Sequence, residues 1–557
     1  MPLELKNYFS KIKKSLPGHL WILLAILLVG IFLRTYNFHA WLKFEDDQAR
    51  DATLVSQVIS GETAWPQIGP TMRKSGVSED KLFHLGPIYY DFQIISAKLF
   101  GNIPTSLAYP DLLFSILTIP LFYYFLRRYF EQNFSLAATG ILAISFFAIQ
   151  YSRFAWNSNS IPFFVLLFLL ALHEFLVKKE KVSWGWASVL GISIGVGVQL
   201  HAVLIVLFLA TTFFVVAFVF LLRKNWQSWN KWLLVFLVAL VLNVNQLVTE
   251  GKNNFSNEVA FLSFPAVNSH PELSEKILNF SETVSCNFEA NTYLLLLTSG
   301  TDSLSVGSAG CDFAYLKAFG RGDFSKFLQK PVFWFWIVPR NILSILGYLA
   351  LGYFFLKEKE TTKKSFLGLI TLFTVISFFI MLALNSGGFK EFRYFNQVFF
   401  VPFVLLGLLL IFLKQKFPKV HLVILLLVFA GLASFNLNSI RLAIKEFQGQ
   451  KVRDTNPVFL GEAESLANYL GTERQTTIYL TGEKGYFDNF LKPLSYLLKD
   501  QKFDIIEVEK DTEIVASRPL FYLAKNAKIT DEQTQVTGHN IKETRIIGQS
   551  IIYKLKN

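Results

Sequence analysis

Long apolar runs separated by short charged segments dominate the chain. A run of about 20 apolar residues can cross a bilayer as a helix. Eleven runs approach that length, at about 19–35, 105–127, 135–151, 160–177, 185–200, 203–222, 232–248, 332–355, 365–384, 396–413 and 420–437. The pattern predicts a mainly α-helical, polytopic membrane protein, with a transmembrane domain over 19–444.

The stretch 445–557 has a different pattern. It is charged, with short β-branched runs at 476–480 and 503–508 and helical patterns at 461–470 and 486–498. Alternation of these types indicates strands and helices of a small α/β domain. A domain of about 100 residues is large enough to bury a core of its own.

Basic residues predict the orientation, because Lys and Arg near the ends of spans favour the cytoplasm. Lys11, Lys13 and Lys14 precede the first run, so residues 1–18 are expected inside. Alternating crossings then place the loops 36–104 and 249–331, and the 445–557 domain, outside the plasma (inner) membrane. No small-residue cleavage site follows the first run, which is therefore expected to remain as an anchor.

The apolar segment 86–101 is short for a span. Arg127 and Arg128 end the run that follows it and are expected inside. That run must then travel inward, which leaves 86–101 as an interfacial or re-entrant helix on the outer side.

Composition agrees with this topology. The 557 residues are 52% hydrophobic and 16% aromatic, with a formal net charge of +12 and a mean hydropathy of +0.39. The positive charges lie in clusters between apolar runs, so they indicate topology rather than nucleic-acid binding.

Cys286 and Cys311, the two cysteines of the chain, both lie in the second outer loop. Disulfides persist in oxidising compartments, so a Cys286–Cys311 bond is predicted. The alternative is two unrelated small apolar residues.

Four carboxylates follow the first run, at Glu45, Asp46, Asp47 and Asp51. Ionisable groups are costly in a membrane protein and usually functional, although an acidic cluster can also be a solvated loop face. If a helix begins here, Asp46 and Arg50 share one face and are expected to pair, while Glu45 caps the helix. Asp47 then faces a cavity and is the predicted base.

Further polar residues fall at the outer ends of spans: His84, Arg153, Asn157, Asn159, His201, Glu391, Arg393 and Tyr394. Guanidinium groups suit phosphate binding, and a carboxylate suits proton abstraction. Together they favour transfer from a lipid-phosphate donor in an outer cavity. Each has a structural alternative: a turn residue for His84, a hydrogen-bonded interface residue for His201, and an interfacial anchor for Arg393–Tyr394.

Four motifs, in this order, resemble those of a known family. They are the Asp-bearing motif of the first outer loop, His84-Leu85-Gly86-Pro87-Ile88-Tyr89-Tyr90, Ser152-Arg153 and Arg393-Tyr394. Over about residues 20–415 the chain resembles the GT-C membrane glycosyltransferases (families 39 and 83). Within these, it is similar to bacterial relatives of dolichyl-phosphate-mannose protein mannosyltransferases and of aminoarabinose transferases.

The resemblance implies roles for these residues. Asp47-Gln48 matches the Asp-Glu/Gln dipeptide of the general base, with Asp46 as the near alternative. The donor phosphate is expected at Arg393 and Tyr394, with Arg153 and with His201 in the place of a lysine. The implied substrate-binding residues are His84, Glu391, Asn157 and Asn159.

The chain departs from the family at Asn157-Ser158-Asn159, where many relatives carry a second Asp. No metal site and no cofactor are therefore expected, and a divalent metal remains only an alternative.

The function implied is an inverting transfer of a sugar from a polyprenyl-phosphate donor to an acceptor at the outer face. The acceptor class stays open between a protein, a lipid and a cell-wall glycan, and the sugar is not specified. A transporter or flippase would instead carry paired intramembrane charges in symmetric halves. A non-catalytic protein that binds a lipid-linked glycan is the third hypothesis.

Overall fold

The computed structural model describes most of the chain. The described residues are 17–72, 83–178, 181–263, 273–296, 311, 328, 334, 337–385, 392–448, 457–473, 477–499, 503–508, 518–525, 535–536 and 539–556.

Helices make up the first four-fifths of the chain. In order they are α1 (Gly18–Thr35), α2 (Asp46–Ser60), α3 (Ile88–Phe100), α4 (Tyr109–Leu126), α5 (Gln132–Ile144), α6 (Phe146–Gln150), α7 (Ile161–Lys178), α8 (Trp184–Leu200), α9 (Ala202–Ala217), α10 (Trp229–Leu242), α11 (Val244–Lys252), α12 (Ser256–Ser263), α13 (Leu273–Leu296), α14 (Val338–Lys357), α15 (Thr361–Asn385), α16 (Val401–Lys416) and α17 (His421–Phe447). Two short strands, β1 (Thr71–Met72) and β2 (Phe83–His84), pair between α2 and α3.

Each of the eleven predicted spans overlaps at least one helix, but 135–151 and 232–248 each fall across two helices. Eight helices in the described part of the chain are long and apolar enough to cross a membrane. The pair Trp226–Leu242 and Val244–Lys252, bent by 62°, is apolar enough to form either a broken span or a re-entrant loop, and α5 and α8 are shorter apolar helices. α3 has 13 residues, about 20 Å, which is too short for a hydrocarbon core of about 30 Å. α5 has the same length, but α6 follows it after a single residue.

Burial ranks the helices by their place in the bundle. The span Asn157–Lys178, which contains α7, is 78% buried, whereas α1 is 11% and α17 is 17% buried. A helix with apolar residues on all sides is typically surrounded by other helices. Phe168 of α7 stacks on Phe208 of α9 with ring centroids 4.0 Å apart. The exposed apolar faces of α1 and α17 therefore belong to the lipid-facing surface.

The C-terminal domain is a mixed sheet with two helices. Its helices are α18 (Leu460–Leu470) and α19 (Phe487–Lys499). The strands are β3 (Thr477–Gly482), β4 (Asp504–Glu507), β5 (Leu520–Lys525), β6 (Gln535–Val536), β7 (His539–Ile547) and β8 (Ser550–Leu555), in the order β4-β3-β5-β8-β7-β6. β3 pairs parallel with β4 and β5, and the remaining pairs are antiparallel. The predicted elements at 461–470, 476–480, 486–498 and 503–508 correspond to α18, β3, α19 and β4.

This domain docks on the segment between α1 and α2. Phe44 N–H donates to Val458 O at 2.9 Å, and Leu460 N–H donates to Leu42 O at 2.8 Å. Leu460 is fully buried in one apolar cluster with Leu42 and Phe44. Lys492 of α19 forms an ion pair with Asp46 at 2.6 Å. Backbone pairing and apolar burial thus join the domain to the start of α2.

The second predicted outer loop, 249–331, contains the end of α11 together with α12 and α13. Cys286, buried on α13, forms a disulfide with Cys311, and their Cα atoms are 5.3 Å apart. The bond links two residues 25 positions apart and attaches Cys311 to a helix that packs on α14 and α15.

We expect Leu460→Ala to loosen the docked domain far more than Lys492→Ala. Truncating a fully buried Leu costs about 2–5 kcal/mol. The Lys492–Asp46 pair is half exposed on both sides, and such pairs contribute about 0–1 kcal/mol. Limited proteolysis and thermal unfolding in detergent measure the difference. Equal effects of the two substitutions would contradict this docking surface.

Labelling with a thiol reagent tests the disulfide. The unreduced, denatured protein should incorporate no label, and the reduced protein should incorporate label at Cys286 and Cys311. Labelling of both before reduction would show that the bond does not form.

Candidate functional site

A buried polar loop, residues 151–160, connects α6 to α7 and is the centre of the site. Every residue in it is buried except the half-buried Trp156. A buried backbone must satisfy its polar groups with protein partners. In this loop the partners come from many different helices, so the loop determines how those helices meet.

Two of these contacts hold the acidic helix. Lys43 N–H donates to Arg153 O at 3.1 Å, and Gln48 Nε2 donates to Ala155 O at 3.0 Å. The first turn of α2, with Asp47 next to Gln48, is therefore fixed against the loop.

The acidic helix begins as predicted but pairs differently. Glu45 and Gln48 form a capping box in which Glu45 N–H donates to Gln48 Oε1 at 3.1 Å. Arg50 donates to Asp47 at 2.9 Å and to Asp51 at 2.7 Å. The predicted Asp46–Arg50 pair is wrong, because Asp46 pairs with Lys492 instead. That partner comes from α19, which no local spacing could indicate.

The three charges Asp47, Arg50 and Asp51 run from solvent into the protein. The side chain of Asp47 is 59% exposed, whereas that of Asp51 is 4% exposed. Tyr90 Oη also donates to Asp51, at 3.3 Å. Burial raises the pKa of Asp51 to about 6, and the neighbouring Arg50 opposes that rise. The exposed carboxylate of Asp47 is thus held by Arg50, which is fixed in turn by the buried Asp51.

Arg153 is a C-terminal cap of α1. Its guanidinium donates to the carbonyls of Leu33 at 3.3 Å, Arg34 at 3.0 Å and Tyr36 at 2.8 Å. The last carbonyls of a helix lack partners within it and attract cations. Burial lowers the pKa of Arg153 to about 10, so it remains charged near neutral pH. Its predicted contact with a donor phosphate stays a prediction.

His201 and Tyr394 lie side by side. The ring centroids of His201 and Tyr394 are 6.2 Å apart, in an edge-to-face arrangement. His201 Nδ1 accepts a hydrogen bond from Val203 N–H at the start of α9. Asn157 Nδ2 donates to Leu200 O at 2.5 Å. The structure therefore brings Asn157, His201 and Tyr394 together, and we name them the His201 cluster.

Hydrogen bonds within the protein account for the positions of Asn159 and His84. Asn159 Nδ2 donates to Phe154 O at 2.7 Å within the loop. The backbone of His84 is clamped by Asn257, with bonds of 2.7 and 3.0 Å, and its Nδ1 lies 3.1 Å from Thr71 Oγ1. Both residues have structural partners, and their substrate-binding roles stay predictions.

The structure gives little on two of the predicted residues, Glu391 and Arg393. Glu391 lies outside the described residues, and Arg393 is described only as part of the 3₁₀ segment Phe392–Val398. That segment contacts the loop, because Asn396 Nδ2 donates to Ser158 O at 3.4 Å.

Sequence reasoning missed Asp111, at the start of α4. Its fully buried carboxylate accepts from Tyr89 Oη at 2.7 Å, from Ser160 Oγ at 2.8 Å and from Trp156 N–H at 3.1 Å. It thereby joins α3, α4 and the loop. An Asp inside a predicted span was a usable signal, since such residues are rarely there without a partner.

Within the described residues, no three His, Cys, Asp or Glu side chains come together as metal ligands.

Comparison with known proteins gives a family match over part of the chain and a similar fold over nearly all of it. The sequence model of the family described as dolichyl-phosphate-mannose-protein mannosyltransferase matches residues 85–248, less than half of the chain. Sequence comparison with curated proteins gives no match.

Two solved structures cover nearly the whole chain. One is ArnT from Cupriavidus metallidurans in the apo state, with a TM-score of 0.51 and 12% identity over 96% of this chain and 98% of that one. The other is the same protein bound to undecaprenyl phosphate, with a TM-score of 0.50 and 11% identity over the same shares. The chain therefore has the GT-C glycosyltransferase fold, as its motifs predicted. Family match and fold together indicate a glycosyltransferase.

We expect Asp51 to make stability depend on pH between about 4 and 6. Its folded pKa of about 6 lies above the ordinary value of 3.8, so the folded chain binds more protons in that window. Stability from this group therefore falls as pH rises through it. Relative to Asp51→Asn, the parent protein should gain several degrees of unfolding temperature from about pH 7 to about pH 4.5. Parallel melting curves of the two proteins would contradict the assignment.

Proposed function

We propose that this protein transfers a sugar from a polyprenyl-phosphate donor to an acceptor at the outer face of the plasma (inner) membrane, with inversion at the anomeric carbon. The GT-C fold and the match to a dolichyl-phosphate-mannose-dependent family support the donor class. The fold relative bound to undecaprenyl phosphate points to the same class. Basic clusters on the opposite side of the spans support the outer location.

The observation that carries the proposal is the exposed carboxylate of Asp47. Asp47 lies on a helix fixed to the buried loop. Arg50 forms an ion pair with it at 2.9 Å and is itself held by the buried Asp51 at 2.7 Å. A base needs both access to the acceptor and a fixed position. Among the acids of this helix Asp46 is the alternative, but it joins the helix to Lys492 at 2.6 Å.

The reaction then proceeds as a single displacement. An acceptor O–H or N–H gives its proton to Asp47, and the acceptor atom bonds the anomeric carbon. The bond from that carbon to the phosphate oxygen breaks, and the electron pair leaves with the polyprenyl phosphate. Cationic and hydrogen-bonding groups aimed at the leaving phosphate stabilise this charge.

We assign the phosphate to the His201 cluster and the adjacent Arg393. His201 and Tyr394 lie next to each other, and Arg393 precedes Tyr394 on a segment bonded to the buried loop. Arg153 would act mainly through its charge, because its terminal nitrogens already cap α1. The sugar and acceptor would lie between this cluster and Asp47, near Asn157, Asn159, His84 and Glu391.

Replacing Asp47 with Asn should lower the turnover number by roughly 10²–10⁴-fold, the usual contribution of a general base. The assay uses purified protein, a panel of polyprenyl-phosphate sugars and candidate acceptors, and records release of the polyprenyl phosphate. The anomeric configuration of the product, read by NMR, tests inversion.

Asp46→Asn is the matched control, one residue away and also half exposed. It should keep most of the activity, with donor binding unchanged in both variants. Full turnover by Asp47→Asn would remove the assignment of the base. Donor translocation without release of the phosphate would instead favour a flippase.

A further inference from the structure

A cavity of about 310 Å³ lies between the ends of the first and last spans, away from the His201 cluster. Its walls are mainly apolar and come from the last turns of α1 and α17 and from α6, with Phe32, Tyr36, Phe146, Ile440, Ala443 and Phe447 among them. Its size falls in the range of ligand pockets, about 300–1,000 Å³. None of the described lining residues belongs to the His201 cluster or to α2.

Two cations line this apolar cavity. Arg153 is 93% buried, and its Nε has no hydrogen-bond partner among the described residues. Lys43 is the second cation; its Nζ lies 3.0 Å from Glu45 and faces the Phe154 ring at 5.4 Å. Among the described residues the lining contains no carboxylate. With Glu45 counted, the cavity still has one excess positive charge.

The surroundings identify what reaches the cavity. Phe32, in the lining, is 59% exposed, and Leu437, one turn before Ile440, is 50% exposed. Both lie on the lipid-facing surface formed by α1 and α17. Trp41, also in the lining, stacks on Phe447 with ring centroids 4.3 Å apart, and Trp is enriched at the depth of lipid head groups. A hydrocarbon chain can therefore enter from the bilayer and place its head group at the cations.

We propose that this cavity binds an anionic membrane phospholipid, with its phosphate at Lys43 and Arg153 and an acyl chain between α1 and α17. Arg153 caps α1, and Phe459 of the C-terminal segment also lines the cavity. A lipid in this position would stabilise the contact between the first span, the last span and the docked domain. The proposal does not rest on the transfer reaction, because its ligand differs from the donor. Among the described lining residues, Arg153 alone is shared with the predicted donor-phosphate residues.

Lipid-dependent melting tests the proposal with the full-length protein in detergent. Phosphatidylglycerol should raise the unfolding temperature by several degrees, because a ligand that binds only the folded state stabilises it. Phosphatidylcholine and inorganic phosphate, at the same concentration, should not. Lys43→Gln removes a cation and Ala443→Phe fills the cavity, and each should abolish the shift.

The control positions lie on α17, the helix that carries Ala443, but outside the cavity lining. Lys445→Gln and Leu442→Phe should keep the full shift with phosphatidylglycerol. Melting without lipid shows which variants fold, so Ala443→Phe decides the matter if Lys43→Gln does not fold. Equal stabilisation by phosphatidylcholine would overturn the proposal, as would a shift that survives in Ala443→Phe. A shift that depends on Lys43 but is produced only by a polyprenyl phosphate would show that the carrier lipid occupies the cavity instead.

Discussion

The requirement that a buried backbone satisfies its polar groups shapes the candidate site. The loop 151–160 is not helical throughout, yet nearly all of it is buried. Its carbonyls and amides are bonded to Lys43, Gln48, Asp111 and Asn396. Because each partner sits on a different element, the polar bonds of one loop set the relative positions of the acidic helix, α4 and the 3₁₀ segment. Apolar packing in the bundle alone would allow these elements to slide.

Charge is arranged around this loop in two separate ways. On one side, buried Asp51 anchors Arg50, which holds the exposed Asp47. On the other side, Arg153 caps α1 and gives a positive wall to an apolar cavity. The Asp47 carboxylate and the Arg153 guanidinium therefore lie on different sides of this loop. This separation keeps the exposed Asp47 carboxylate and the positive wall of the cavity from neutralising each other.

Much of the fold followed from local patterns. Apolar runs of spanning length became helices because an isolated span must satisfy its backbone within itself. The shortness of 86–101 likewise indicated a helix that does not cross, now α3. In the site, local spacing predicted the helix start at Glu45 but not the partner of Asp46. That partner, Lys492, is 446 residues away along the chain.

The sequence by itself determined the class of the protein: the membrane helices, the C-terminal α/β domain, the GT-C resemblance and the acidic helix as a candidate site. These depend on composition and on periods of a few residues, which any segment carries alone. Only the tertiary structure decided which polar groups meet. It joined Asp111 to Tyr89 and Ser160, placed His201 beside Tyr394, and turned Arg153 toward the end of α1. Such pairs form between distant segments, because buried polar groups take whichever partners the packed helices bring within reach.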